Sequence, residues 1–338
     1  MKLIIFLISA AIAFSLIFMG FLYFNHKVAP LPFNKEEAPS SSTSIIQEKL
    51  ETPTAQENLN SAPLPQKPIN AVVITTDQIK MLYPTKKNGR VWYAKWSDGN
   101  ARTLKSGQSD LSDLEFVARG NGIVSIDGKG IAHLQGASPR MYVLDPAKNK
   151  KWNNVEATVY AKRLSESGVL SSQGIVIGAR SEHQGATKEN PCLGRTYYGR
   201  LLYDGRAVFQ KEVIHEGAYS VNKPGENNKA LWDSTNGTLP RNKWIGVKFI
   251  VKTNSDKKSV KLELYRDLTD GKNGGKWDKI AEYTDLGEWS QTDLKANVKV
   301  VCGYPASKVL LDPGTSVFIR NDNVKDVEYK LFSIREIK

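Results

Sequence analysis

The feature that most constrains this chain is a hydrophobic period of two. From residue 71 onward, short runs of alternating or continuous apolar residues recur, each closed by Gly, Asn, Asp or Pro. AVVITT (71–76), NVEATVYAKR (154–163), GIVIGAR (174–180), RLLYDG (200–205), AVFQKEVIH (207–215), WIGVKFIVK (244–252), VKLELYRD (260–267), NVKVVCGY (297–304), SVFIRND (316–322) and VEYKLFSIREI (327–337) are such runs. Successive side chains of a strand point to opposite faces, so a period of two builds pleated sheet rather than amphipathic helix. Asp127-Gly128, Asp204-Gly205, Asn236-Gly237 and Asn273-Gly274-Gly275 supply turns between the runs. Many short strands spaced by turn signals predict an all-β sandwich or barrel over residues 71–338. SDLSDLEFVAR (109–119) is the best helical candidate, and no internal repeat is visible.

The first 70 residues are of another kind. Leu3 to Phe24 carry no charge, 22 residues in all, enough for a helix to span a hydrocarbon core of roughly 30 Å. A cleavable signal has a shorter apolar core and a small-x-small site, so residues 1–27 are expected to be an uncleaved anchor, with a cleaved signal as the alternative. Either reading places the bulk of the chain outside the cytosol. Residues 28–70 are rich in Pro, Ser, Thr, Glu and Gln, too poor in apolar surface to offset the entropy of ordering, and are expected to form a disordered linker.

Charge and cysteine narrow the partners. Residues 1–70 hold five Lys and five Glu, so the formal charge of +12 falls wholly on the strand-rich part. A basic exported domain suggests an anionic partner, and export argues against nucleic acid. Two cysteines, Cys192 and Cys302, suit one disulfide in an oxidising compartment and are too few for a zinc framework. Asn236-Gly237-Thr238 is a glycosylation sequon.

Alternation also distributes the polar residues. In WIGVKFIVK, Ile245, Val247, Phe249 and Val251 face one way, and Trp244, Lys248 and Lys252 the other. Leu262 and Leu264 oppose Lys261, Glu263 and Tyr265, Lys211 and His215 share a face with Phe209 and Val213, and Arg180 and Glu182 lie together on one face. A two-layer sandwich buries one face of each sheet and can leave the other for a ligand.

The order W-x-N-V-E-x-T-x-Y (152–160), GARSEH, YYGRLLYDG, FQKEVIH, WIGVK, VKLELY and YKLFSIREI resembles the concanavalin A-like jelly roll, and more narrowly the polysaccharide lyases of the alginate and glucuronan type. That resemblance implies a jelly-roll β-sandwich acting on an anionic, uronate-containing polysaccharide by β-elimination, without cofactor or metal. The alternative is a non-catalytic glycan-binding or adhesion module. The R-x-E element of those lyases matches Arg180-Ser181-Glu182, while the Q-x-H element keeps only His215, since position 213 is Val. By this resemblance Arg180 neutralises the substrate carboxylate, His215 is the base and Tyr219, or alternatively Tyr203, donates to the leaving oxygen. Glu182, Lys211, Tyr203, Lys248 and Tyr265 are then expected to bind substrate.

Other motifs carry less. The E-x-D-x-E strand of retaining hydrolases is absent, and with it the paired carboxylates that retaining chemistry requires. His183 with Glu182 lacks a third metal ligand at diagnostic spacing. IRNDNVKD (319–326) departs from a calcium loop and reads as a turn, and His133 reads as structural. Trp232, Trp244, Trp277, Trp289 and the pair Tyr197-Tyr198 are expected mainly in the core.

Overall fold

A computed structural model describes residues 75–338 except 169–172, 216–217, 220–237, 290–297 and 323. The expected anchor and linker, Trp232 and the Asn236 sequon lie outside the described residues. Among the described residues, no helix is long and apolar enough to cross a membrane.

Among the described residues there are fifteen strands: β1 (Val91–Tyr93), β2 (Arg102–Lys105), β3 (Ser109–Asp110), β4 (Asp113–Ile126), β5 (Ala132–Leu144), β6 (Val155–Glu166), β7 (Gly174–Ser181), β8 (Thr196–Leu202), β9 (Ala207–Ile214), β10 (Ala218–Tyr219), β11 (Trp244–Thr253), β12 (Val260–Asp267), β13 (Asp278–Asp285), β14 (Ser316–Arg320) and β15 (Val324–Glu336). The runs named above supply β6 to β9, β11, β12, β14 and β15. Three expectations change. Of AVVITT, residues 71–74 lie outside the described residues, and Thr76 opens the 3₁₀ turn Thr76–Gln78 instead of continuing a strand. Residues 109–119 are strand, because Phe116 and Ala118 enter the core while Val117 faces the other way, and the alternation runs on to Val124 and Ile126. Residues Val298–Cys302, expected as strand, form the short helix α1.

All pairings are antiparallel, in the order β10-β9-β8-β7-β14-β5-β15-β6-β11-β12-β13. The sheet folds over so that β7 meets β11, β8 meets β12 and β9 meets β13 face to face. The β4–β5 hairpin makes the corner. The Arg140–Leu144 half of β5 pairs with β14, in the first layer, and the Ala132–Gly136 half pairs with β15, in the second. Between the halves the ladder shifts register at Asn121 to Ile123. There Gly136 (φ +134°) approaches Gly122 so closely that a Cβ would sit 2.5 Å from the Gly122 Cα, a contact that only glycine permits.

Between the layers lie Ile175, Ile177 and Ala179 of β7, Leu201 of β8, Phe209 and Val213 of β9, Val155, Ala157 and Val159 of β6, Val247, Phe249 and Val251 of β11, and Leu262 and Leu264 of β12. Phe209 and Phe249 bridge the layers with ring centroids 6.2 Å apart. Burying each such side chain stabilises the fold by roughly 1.5–3 kcal/mol before entropy is counted. The result is the antiparallel two-layer sandwich that the alternation predicts. Cys192 and Cys302 form a disulfide, which ties the 3₁₀ turn Pro191–Gly194 to α1 and fits an oxidising compartment.

Candidate functional site

On the outer face of the first layer, register fixes which side chains stand side by side. Arg119, Arg140, Arg320, Val176 and Arg200 are successive cross-strand partners on β4, β5, β14, β7 and β8. The adjacent row is Val117, Tyr142, Phe318, Gly178, Tyr198 and Gln210. Four arginines therefore line a band whose neighbour is aromatic.

The aromatic row is a packed floor. Tyr142 and Phe318 stack at 4.5 Å, and Tyr198 meets Phe318 edge-on at 5.9 Å. Phe318 lies flat over β7 because residue 178 is glycine: a Cβ there would stand 2.3 Å from the ring. Tyr142, Phe318 and Tyr198 are buried, Arg140, Arg320 and Gln210 are half-buried, and Arg119 is exposed. Arg320 donates from Nε to both carboxylate oxygens of Asp322 at 3.0 Å, and Arg200 donates from Nη1 to Gln210 Oε1 at 2.7 Å.

At the β9 end of this floor three polar residues converge. Glu212, fully buried, accepts from the Tyr198 hydroxyl and contacts His215 Nδ1 at 2.9 Å through Oε1. His183, at the start of the 3₁₀ turn His183–Gly185, brings Nε2 to 3.6 Å from Glu212 Oε2, and its Nδ1 lies 3.2 Å from the Tyr142 hydroxyl. The two imidazoles meet edge-on at 4.5 Å. Gly194 makes room for His215: a Cβ on it would lie 2.7 Å from that residue, whose backbone N–H donates to the Pro191 carbonyl. The disulfide thus braces the segment against which His215 rests. Burial, helped by the positive charges of Arg140 and Arg320 and by His215, pushes His183 down to about 3. Burial pushes Tyr142 up to about 12, against the pull of Arg140 and with the push of Glu212.

The residues singled out from sequence are dispersed by this geometry. His215, half-exposed, is on the first-layer face. Tyr219 pairs with Glu212 through its backbone in β10, and its side chain lies outside the described part. Arg180 is enclosed. It sits in a bulge where Gly178 to Ser181 on β7 oppose Phe318 to Ser316 on β14, and its φ of +49° turns it off the face that strict alternation would assign. Its guanidinium donates to Asn153 O, Leu310 O, Asn154 Oδ1 and Thr253 Oγ1, so four of its five N–H groups hold loops together. Glu182 pairs with Arg195 and lies 3.8 Å from Lys151, and it makes no contact with Arg180.

Lys211 and Tyr203 are interior. Lys211 lies between the layers, ion-paired to Asp285 at 2.8 Å, with burial lowering its pKa against the pull of that carboxylate. Tyr203 donates to Asn321 Oδ1 at 2.6 Å within the core. Lys248 and Tyr265 are cross-strand partners on β11 and β12, so they share the outer face of the other layer. There Lys248 is buried with Glu156 and Thr158 at 2.9 and 2.8 Å, beneath the segment whose Leu82 and Tyr83 amides donate to Glu156.

The residues missed from sequence are Glu212, Tyr142, Gln210, Arg140, Arg320, Arg119 and Arg200, while His183, weighed with Glu182, stands instead beside Glu212 and His215, and Tyr198, expected mainly in the core, faces the site. Parity on β9 carried part of the signal. With Phe209 and Val213 inside, Lys211 is inside too, and Gln210 and Glu212 must face out. His133, read as structural, lies 3.0 Å from Asp326. In the 319–326 turn, Asn321 bonds Tyr203 and Tyr329. Of the aromatics, Tyr197 and Trp289 are core, and Tyr198 faces the site. A separate cleft of about 370 Å³ lies elsewhere, bounded by Ala94, Trp96, Lys129, Ile131, Asp270 and Lys330.

No family model and no curated protein matches this sequence. Solved structures similar to it include the exoplasmic/lumenal domain of VIP36 in its Ca²⁺/Man3GlcNAc-bound form, 10% identical over 73% of this chain and 91% of that one, with a TM-score of 0.36. A putative glycosyl hydrolase from Parabacteroides distasonis is 13% identical over 73% of this chain and 94% of that one, with a TM-score of 0.35. A Bacillus subtilis protein of unknown function with a galectin-like fold is 14% identical over 72% and 98%, with a TM-score of 0.36.

Proposed function

We propose that this protein is an exported, concanavalin A-like carbohydrate-binding protein that holds an acidic polysaccharide across the outer face of the first layer. The observation that carries the proposal is the register-defined row Arg119–Arg140–Arg320, continued at Arg200, beside the Tyr142–Phe318–Tyr198 floor. Guanidinium groups recognise carboxylates and sulfates through a planar fork, and the buried Tyr142–Phe318–Tyr198 floor packs the strands that carry them. Adjacent strands are about 4.8 Å apart, so arginines on neighbouring strands can meet charges along an extended polymer.

A second reading, β-elimination, is favoured by the half-exposed His215 held by buried Glu212. With Nδ1–H donating to Glu212, Nε2 is the basic nitrogen. It takes the C5 proton of a uronate whose carboxylate an arginine of the row neutralises. The C5–H electrons form the C4=C5 double bond, the C4–O bond breaks, and the leaving oxygen takes a proton from a hydroxyl donor.

The test is retention of the full-length protein on immobilised acidic and neutral polysaccharides, with absorbance near 235 nm followed in parallel. Retention on acidic polymers that weakens with salt and in Arg320→Ala supports the binding reading, and equal retention of wild type and Arg320→Ala on neutral polymers sinks it. Rising absorbance that disappears in His215→Ala establishes elimination, and flat absorbance with retention removes that second reading.

A further inference from the structure

We infer that His183, Glu212 and His215 form a binding site for one divalent transition-metal ion of the zinc class. One ligand atom from each residue lies within 4.8 Å of the other two. Two imidazoles and one carboxylate are a zinc donor set. Bonds of about 2.0–2.2 Å in a tetrahedral arrangement hold ligand atoms roughly 3.3–3.6 Å apart, and His183 Nε2 and Glu212 Oε2 stand at 3.6 Å. Small side-chain shifts would bring the remaining pairs to such spacing.

The independent observation is an orphaned nitrogen. His183 is 5% exposed, and its Nε2 has no hydrogen-bond partner although it is aimed at Glu212. A buried polar atom left unpaired costs about 1–3 kcal/mol, and a metal bond would satisfy it. Outer partners are also in place. The Tyr142 hydroxyl at His183 Nδ1 fixes that ring, and the Tyr198 hydroxyl fixes the Glu212 carboxylate. Such contacts orient metal ligands and raise affinity. The ligands come from the 3₁₀ turn after β7, from β9 and from the residue following β9, and no spacing in the sequence brings His183 next to the other two. Charge works both ways at the site: Arg140 and Arg320 are its positive neighbours, Arg320 is paired with Asp322, and Glu212 supplies a negative ligand. His215 keeps 24% of its side chain exposed, so one side of the site stays open to a water or a ligand oxygen.

The inference shares residues with the polysaccharide face but does not rest on it. Metal on His215 Nδ1 would exclude the elimination reading and leave arginine-based binding intact. The experiment strips the full-length protein with EDTA, adds zinc chloride, and measures bound zinc after gel filtration by plasma mass spectrometry, with affinity by calorimetry. The expected result is one zinc per chain, a roughly hundredfold weaker affinity in His215→Ala, and a roughly tenfold loss in Tyr142→Phe, which keeps all three ligands. Absence of stoichiometric zinc in the wild type, or His215→Ala binding as tightly as wild type, overturns the inference. His215 is half-exposed, so its variant is expected to fold, and circular dichroism checks this. Polymer retention measured with and without EDTA is read separately. Zinc binding without retention sinks only the polysaccharide reading, and retention without zinc sinks only this one.

Discussion

Replacing Arg180 by Met separates a structural from a catalytic role for this residue. Met keeps most of the apolar stem and deletes every donor. Four acceptors lose a partner: the carbonyls of Asn153 and Leu310, Asn154 Oδ1 and Thr253 Oγ1. Asn154 Oδ1 retains the Thr253 amide at 2.9 Å, so the cost falls mainly on the two carbonyls. Each buried, unpaired carbonyl costs about 1–3 kcal/mol. Release of a buried charge, whose pKa burial lowers to about 10, offsets part of this. The net expectation is a destabilisation of about 3 kcal/mol, at the upper end of ordinary single substitutions. For a domain of this size that lowers the thermal midpoint by about 6–12 °C. Calorimetry and urea unfolding measure it, with polymer retention assayed below the lowered midpoint. An unchanged midpoint with lost retention would refute the reasoning, because Arg180 would then be reaching ligand rather than the Leu310 loop.

Three further outcomes follow from the same geometry. Gly178→Ala forces a Cβ to within 2.3 Å of the Phe318 ring, so we expect roughly 1–3 kcal/mol of overpacking cost, an altered near-ultraviolet dichroism from the Tyr142–Phe318 stack, and weaker retention. Loss of the Cys192–Cys302 bond, which spans 110 residues, should lower unfolding free energy by about 4–5 kcal/mol on the chain-entropy account; equal urea midpoints for wild type and the Cys192→Ser/Cys302→Ser protein would contradict it. Lys248 is pushed down from 10.5 to about 8, first by burial and against the pull of Glu156. Between pH 8 and 10.5 the unfolded chain therefore holds a proton that the folded chain has lost, and this group makes stability rise with pH. The stability of wild type relative to Lys248→Met should rise across that window by on the order of 2–3 kcal/mol, as read by urea unfolding at its two ends. A relative stability that falls instead would reverse the assignment.

The local alternation of the chain was enough to determine an antiparallel sandwich and eight of its longer strands, but not β4, expected as helix, nor the helix at Val298–Cys302. Phe209, Val213, Phe249, Leu262 and Leu264 announce which face is buried, because a period of two leaves a half-buried strand no other choice. Turn chemistry, the basic character of the region after residue 70 and a lone pair of cysteines were equally legible. The layout of the β4–β5 corner was hidden, since it rests on the close approach of the Gly122 and Gly136 backbones, which lie on two different strands.

The candidate site was mostly illegible, for two physical reasons. A charged residue written among apolar ones is ambiguous until its partner is known: Lys211 is interior because Asp285, on β13 of the facing layer, meets it there. A single bulge at Arg180 reverses the face that strict alternation predicts. The sequence by itself therefore determined the all-β class and the apolar faces of its long alternating strands, because those depend on neighbours one and two positions away. Only the tertiary structure decided that Arg119, Arg140, Arg320 and Arg200 form one row and that His183 meets Glu212 and His215. Those juxtapositions are set by the order and register of strands far apart in the chain, where a shift of one residue would turn each side chain to the opposite face.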